Sequence, residues 1–278
     1  MGTEVTELLL GGQSAPDKVR QIVNNQDDVP RKHVGFIYGA KREDDANELI
    51  KSVRPEYIVM IGLEEYGKTT FLGSFYHRLR SDGKIDSQLM IDSDTLSGFE
   101  HKVFLRAINK EGKSDVARTS SKDPFILSVD LQDEQSGVKR QIVISDRAGE
   151  TYFQYLSDDS LVKNDKTLSR ADKVILFVDS EKMIGNQYVA MMDDYRMLLT
   201  RLRNAKKFPP CAMLYVVFNK IDKINKSKDV FEKRKAGMFD IFKILKDKAD
   251  GVFEVDSKHL DDNDTDIWKL QQMLVNPS

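Results

Sequence analysis

The feature that most constrains this chain is the run Gly62-Leu63-Glu64-Glu65-Tyr66-Gly67-Lys68-Thr69, set between two periodic segments. Before it, Tyr57–Ile61 is a continuous apolar stretch of strand length. After it, Thr69–Arg80 carries a helical pattern. A strand that turns through two glycines into a helix forms a phosphate cradle. Gly62 and Gly67 let backbone N–H groups turn inward around a β-phosphate, and the helix N-terminus adds partial positive charge. In such a cradle Lys68 reaches the β- and γ-phosphates, the Thr69 hydroxyl ligates magnesium, and Thr70 follows in the same turn. A plain glycine turn with a surface lysine is the alternative, and it leaves both flanks unexplained.

The rest of the chain repeats the alternation. Phe125–Leu131 and Gln141–Ser145 are strands joined by a turn containing Gly137, so one antiparallel edge strand is expected. Val174–Val178 and Met213–Phe218 are short buried strands, followed by helical patterns at Met191–Leu202 and Val230–Leu245. Val252–Val255 is a last strand, and Asp266–Leu274 a last helix capped by Asp264 or Thr265. The expected fold is α/β, doubly wound around a mostly parallel sheet of the P-loop NTPase type. Residues 1–54 break this pattern with Gly11-Gly12 and Pro30, leaving only Val34–Tyr38 as a strand. They are read as an N-terminal extension, either packed on the core or used as a docking element, beside a domain at 55–278. Between Gly83 and Lys122 a helix is expected near Leu96–Asn109, then a polar loop, Lys110–Lys122.

Three further motifs follow strands. Asp146-Arg147-Ala148-Gly149 ends Gln141–Ser145; its acid can hold magnesium through a water, and the Gly149 N–H can meet a γ-phosphate. Asn219-Lys220-Ile221-Asp222 ends Met213–Phe218. The Asp222 carboxylate matches guanine N1–H and its 2-amino group, a pair that adenine lacks in that arrangement. Asn219 can hold the loop and the purine edge, and the Lys220 stem can cover the base. Ser257-Lys258 follows the last strand, where a backbone N–H can meet the guanine O6 and Lys258 lies along the base. The order of the four motifs carries more weight than any one of them.

Composition narrows the setting. A formal net charge of −2 over 278 residues gives no prior for a dedicated nucleic-acid binder. Lysines from Lys206 to Lys248 alternate with acids, the pattern of a solvated helical face. The single cysteine, Cys211, makes no internal disulfide, and the four histidines show no zinc spacing. No apolar run approaches the ~20 residues of a membrane span, and the N-terminus lacks a secretory pattern. Met1–Thr6 fits a short myristoylation pattern, which applies only in a eukaryotic host.

Taken together, the motifs resemble the translation-factor and Ras-like class of P-loop GTPases from Glu56 to the C-terminus. More narrowly, Gly67-Lys68-Thr69-Thr70-Phe71-Leu72, Asp94-Thr95-Leu96-Ser97-Gly98-Phe99-Glu100, Arg118-Thr119-Ser120 and Asp146-Arg147-Ala148-Gly149-Glu150 resemble bacterial double-GTPase proteins of GTPase-associated conflict systems. The resemblance implies GTP/GDP and Mg2+ as ligands, slow hydrolysis, and a bacterial cytoplasm. It also implies a protein partner, either a second GTPase-like component or an effector. Within it Thr119 completes the magnesium site, with Thr95 as rival. Arg118 is either an arginine supplied in cis to the transition state or an ordinary surface residue. Tyr152, Phe153 and Tyr155 either form a partner surface or pack under the switch.

The chain departs from the pattern at three places. Glu64 and Glu65 stand where small or neutral residues are usual, and Glu150 stands where relatives carry a water-positioning glutamine. Asp256 replaces the serine that opens the last motif. Glu64, Glu65 and Glu150 support a second reading, a pseudo-GTPase scaffold that binds nucleotide structurally or not at all; an ATP-using kinase or ATPase is a third, disfavoured by the Asn219–Asp222 spacing.

Overall fold

The computed structural model describes residues 41–42, 54–100, 125–224, 227–257 and 265–277, all within one compact unit, Ile37–Ser278. The strands are β1 (Lys41–Arg42), β2 (Glu56–Ile61), β3 (Lys84–Ile85), β4 (Gln88–Asp92), β5 (Phe125–Asp133), β6 (Lys139–Asp146), β7 (Lys173–Asp179), β8 (Met213–Asn219) and β9 (Gly251–Val255). The helices are α1 (Lys68–Asp82), α2 (Gly149–Tyr155), α3 (Asp159–Asn164), α4 (Ser180–Ile184), α5 (Tyr188–Asn204), α6 (Lys228–Phe242) and α7 (Thr265–Val275). Residues 96–100 are also helical, at the start of the helix expected there.

The sheet runs β3-β4-β5-β6-β2-β7-β8-β9, with β1 beside β5. From β6 to β9 every pairing is parallel. These strands read as unbroken apolar runs because both of their faces are covered: Ile58, Val59 and Met60 of β2 and Ile175–Val178 of β7 are fully buried. β5 returns antiparallel on β6, as the sequence predicts. The β3–β4 hairpin extends that edge and is absent from the sequence reading. Its two-residue turn, Asp86-Ser87, lacks the glycine that marks such turns, and Asp86 takes φ +55° without it.

The connections between the parallel strands put the helices in two layers. In one, the Arg78 guanidinium of α1 lies 4.9 Å from the Trp268 ring of α7. In the other, Tyr195 of α5 meets Phe242 of α6 edge-on at 6.0 Å. β2, β6, β7, β8 and β9 all deliver their C-terminal ends to one rim of the sheet, where ligands of open α/β sheets bind.

Candidate nucleotide site

The phosphate loop occupies the end of β2. Glu65 and Gly67 both have positive φ, +67° and +88°, and α1 starts at the next residue, Lys68. Gly67 is needed twice over: its backbone is left-handed, and a Cβ there would stand 2.0 Å from Asn219 Nδ2. Gly62 lies against Phe177, and Thr70 sits in the first turn of α1 with its carbonyl accepting from Ser74 Oγ at 3.1 Å. Tyr66 is buried between the Lys182 ammonium, 4.9 Å from its ring, and Tyr195, 6.2 Å between ring centroids. Lys68 is buried and donates to the carbonyls of Gly62 and Leu63. Burial lowers its pKa to about 8, although Asp146, Glu150 and Glu64 each pull it upward.

Beside the loop, Asp146 is fully buried at the end of β6, and its Oδ1 lies 3.5 Å from Thr69 Oγ1. Gly149 is pressed onto the phosphate loop; a Cβ on it would stand 2.2 Å from Glu64 N. Glu150 follows in the first turn of α2. Three side chains fasten this segment from below. Tyr152 donates its hydroxyl to Met60 O at 2.7 Å, tying α2 to the strand that feeds the phosphate loop. Arg147 forms a two-pronged pair with Asp165, and Tyr155 donates to the same carboxylate at 2.7 Å. Burial alone would push Asp165 upward; Arg147, Tyr155 and the Thr167 N–H outweigh it and hold the carboxyl below its ordinary range. Tyr152 and Tyr155 therefore pack under the segment, whereas Phe153 faces outward, 63% exposed.

At the other end, one amide joins three segments. Asn219 Nδ2 donates to Tyr66 O at 2.9 Å, while its Oδ1 accepts from Ser257 N at 3.1 Å and Ser257 Oγ at 2.9 Å. Ser257 O in turn accepts from Ser74 Oγ of α1 at 2.7 Å. The Ser257 N–H is thus held by Asn219, and Ser257 is joined to the site through that amide. Lys220, at φ +63°, donates to the buried Asp179 at 2.6 Å. Asp222 pairs with Lys223 at 2.8 Å and stays partly accessible.

A family model described as Double-GTPase 2 matches residues 56–267. The chain belongs to that family. Among solved structures it is similar to the GTPase-like domain of Ski7 from S. cerevisiae bound to GDP and inorganic phosphate. That match has a TM-score of 0.45 and 14% identity, covering 83% of this chain and 52% of that one. It is also similar to the signal recognition particle receptor SRb-GTP/SRX complex from Chaetomium thermophilum, with a TM-score of 0.45 and 14% identity over 78% of this chain and 98% of that one. The chain spans about half the length of the Ski7 chains. No curated protein matches it by sequence.

The structure of this Double-GTPase 2 member brings Gly62, Gly67, Lys68, Thr69, Asp146 and Gly149 together at one end of the rim and links Asn219, Lys220 and Ser257 to it. Arg118, Thr119 and Lys258 lie outside the described residues. Thr95 is engaged elsewhere: its hydroxyl accepts from Ser128 N at 2.7 Å and donates to Ser128 O at 3.3 Å. Asp165, Asp179 and Tyr66 were missed by sequence reasoning. Of these, Asp179 left a trace, as a polar residue ending an apolar strand just as Asn219 does. Among the described residues no cluster of three or more His, Cys, Asp or Glu could hold a metal. Thr69 and Asp146 nevertheless offer a hydroxyl and a carboxylate side by side. Such hard oxygens suit magnesium, which takes the rest of its shell from phosphate and water.

Proposed function

We propose that this chain binds GTP with magnesium, hydrolyses it slowly to GDP, and thereby switches a protein partner. The observation that carries the reading is the Asn219 amide, which ties the phosphate loop, the end of β8 and Ser257 into one frame. A purine nucleotide laid along that frame has its phosphates at the start of α1 and its base beside Lys220 and Asp222. Lys68 releases the loop carbonyls and takes the phosphates instead. Thr69 and Asp146 would hold the magnesium, which neutralises phosphate charge when bound. Gly149 N–H faces the terminal phosphate, and Glu150, next to it, orients the attacking water. Most of the rate effect comes from positioning and electrostatic stabilisation. A cytoplasmic setting in a bacterial defence-type assembly, with a second GTPase-like component or an effector as partner, completes the proposal. Arg118 and Thr119 remain its candidates for the transition-state arginine and the last magnesium ligand, and Lys258 for the base contact.

Glu64 and Glu150 support a second reading, since with Asp146 they place three carboxylates around a single lysine. On that reading the chain is a pseudo-GTPase scaffold that binds nucleotide structurally or not at all, without turning it over. Calorimetry with GTP, GDP, ATP and a non-hydrolysable GTP analogue, each with magnesium, separates the cases when phosphate release is followed in the same samples. Guanine-selective binding with release is the expected outcome; binding without release favours the scaffold, and no binding refutes the switch. Lys68→Ala is expected to abolish tight triphosphate binding. Asp222→Asn is expected to weaken GTP and favour xanthine nucleotides, because the new amide donates to the xanthine 2-oxo group.

A further inference from the structure

The parallel register of β7 and β8 sets Asp179 beside Asn219 at the same strand end. Asp179 is fully buried, and its two oxygens do different things. Oδ1 accepts from the Lys182 N–H at 3.0 Å and caps α4. Oδ2 accepts from Lys220 Nζ at 2.6 Å. Lys220 leaves β8 in a left-handed turn at φ +63°, and its ammonium then comes back to the strand end, with a quarter of the side chain still accessible. A lysine carries about 2 kcal/mol of rotamer entropy. Held by Asp179, it has lost that freedom before any ligand arrives, and its methylene stem is laid out as a fixed surface.

We infer that Asp179 is a positioning residue for guanine-nucleotide binding: by anchoring the Lys220 ammonium it presents the stem as a ready-made cover for the base. The inference rests on the guanine reading proposed above and adds a residue to it. It also explains why a buried acid follows the apolar run Val174–Val178, where capping a five-residue helix needs only a neutral oxygen.

Asp179→Asn isolates the point. The amide oxygen still caps α4, while the group facing Lys220 changes from acceptor to donor. The measurement is the dissociation rate of a fluorescent GDP from the full chain with magnesium, for the wild type, Asp179→Asn, Lys220→Ala and the double variant. Thermal midpoints are recorded alongside. Asp179→Asn is expected to speed dissociation about three- to tenfold, the factor set by the side-chain freedom that Lys220 regains. The double variant is expected to release nucleotide no faster than Lys220→Ala, because the acid acts through the lysine. An unchanged rate in Asp179→Asn, or effects that multiply in the double variant, overturns the inference while leaving guanine binding intact. A wild type without preference for guanine over adenine overturns the guanine reading and this inference with it.

Discussion

The two ends of the candidate site are anchored by ion pairs of different kinds. At the phosphate end, Arg147 and Asp165 are both almost wholly buried, at 4% and 2% side-chain exposure; at the base end, Asp179 is buried but Lys220 keeps 25%. A pair with both charges out of water is fixed by the cost of breaking it, since either partner left alone is an uncompensated buried charge. At the base end water can serve Lys220 in place of Asp179, but nothing in solvent reaches the buried carboxylate, so the acid holds the ammonium while part of the lysine stays accessible. The contrast divides the labour. The segment bearing Asp146 and Gly149 is fastened to the body of the domain by two buried charges, whereas Lys220 is held by its tip with its side chain partly open to solvent.

The largest expected effect tests the fastened end. Arg147→Ala strands Asp165 and is expected to cost ~3–5 kcal/mol of folding stability, read by urea denaturation. A loss below about 1 kcal/mol would put the pair in the weak class of solvent-exposed bridges and remove the contrast. Next comes Gly149→Ala. The atoms a new Cβ meets are phosphate-loop backbone, at 2.2–2.5 Å, so the loop or α2 must shift. GTP affinity is expected to fall at least about tenfold, some 1.4 kcal/mol, and GDP affinity less, as titrations with both nucleotides can check. An equal loss for the two would move Gly149 away from the terminal phosphate.

The smallest effect sharpens the picture from within. Burial lowers Lys68 to about 8, so between there and its ordinary 10.5 the native chain has shed a proton that the unfolded chain still holds. Through this group the unliganded fold gains stability as pH rises across that window. Nucleotide binding runs the other way: it needs the ammonium, so affinity stays level below about pH 8 and falls by up to about tenfold per unit above it. Thermal midpoints without ligand and calorimetry with ligand, from pH 7 to 9, should slope in opposite directions. Parallel slopes would mean that Lys68 is not the cation the phosphates require.

What the sequence disclosed follows the same division. The parallel strands were readable because burial on both faces forces continuous apolar runs, and the motif residues because each stands where such a run stops. The β3–β4 hairpin was hidden by the shortness of its strands, two and five residues, and by a turn without glycine. Arg147–Asp165 was hidden for another reason: the partners are 18 residues apart, and nothing periodic announces a pairing made only by tertiary packing. Asp179 stood in view, but a lone acid after a strand reads as a turn until its register with Asn219 is known. The bond from Ser257 N–H to Asn219 was hidden too, because spacing locates a residue without saying which neighbour claims its donor.

The Asn219 amide also bears on the order in which the molecule acquires its competence. It spans 153 residues back to Tyr66 and 38 forward to Ser257, so its hydrogen bonds close only when distant parts of the polypeptide have met. Closing such long loops costs entropy before any contact returns it, which makes these among the slower native contacts to assemble. During synthesis the phosphate-loop segment emerges before β6 and β7, the strands that flank β2, and before Asn219 and Ser257, which complete the frame that aligns it. Ligand affinity is then a late property of folding, gained when β9 docks, and nucleotide capture during refolding reports completion of the sheet rather than formation of the motif.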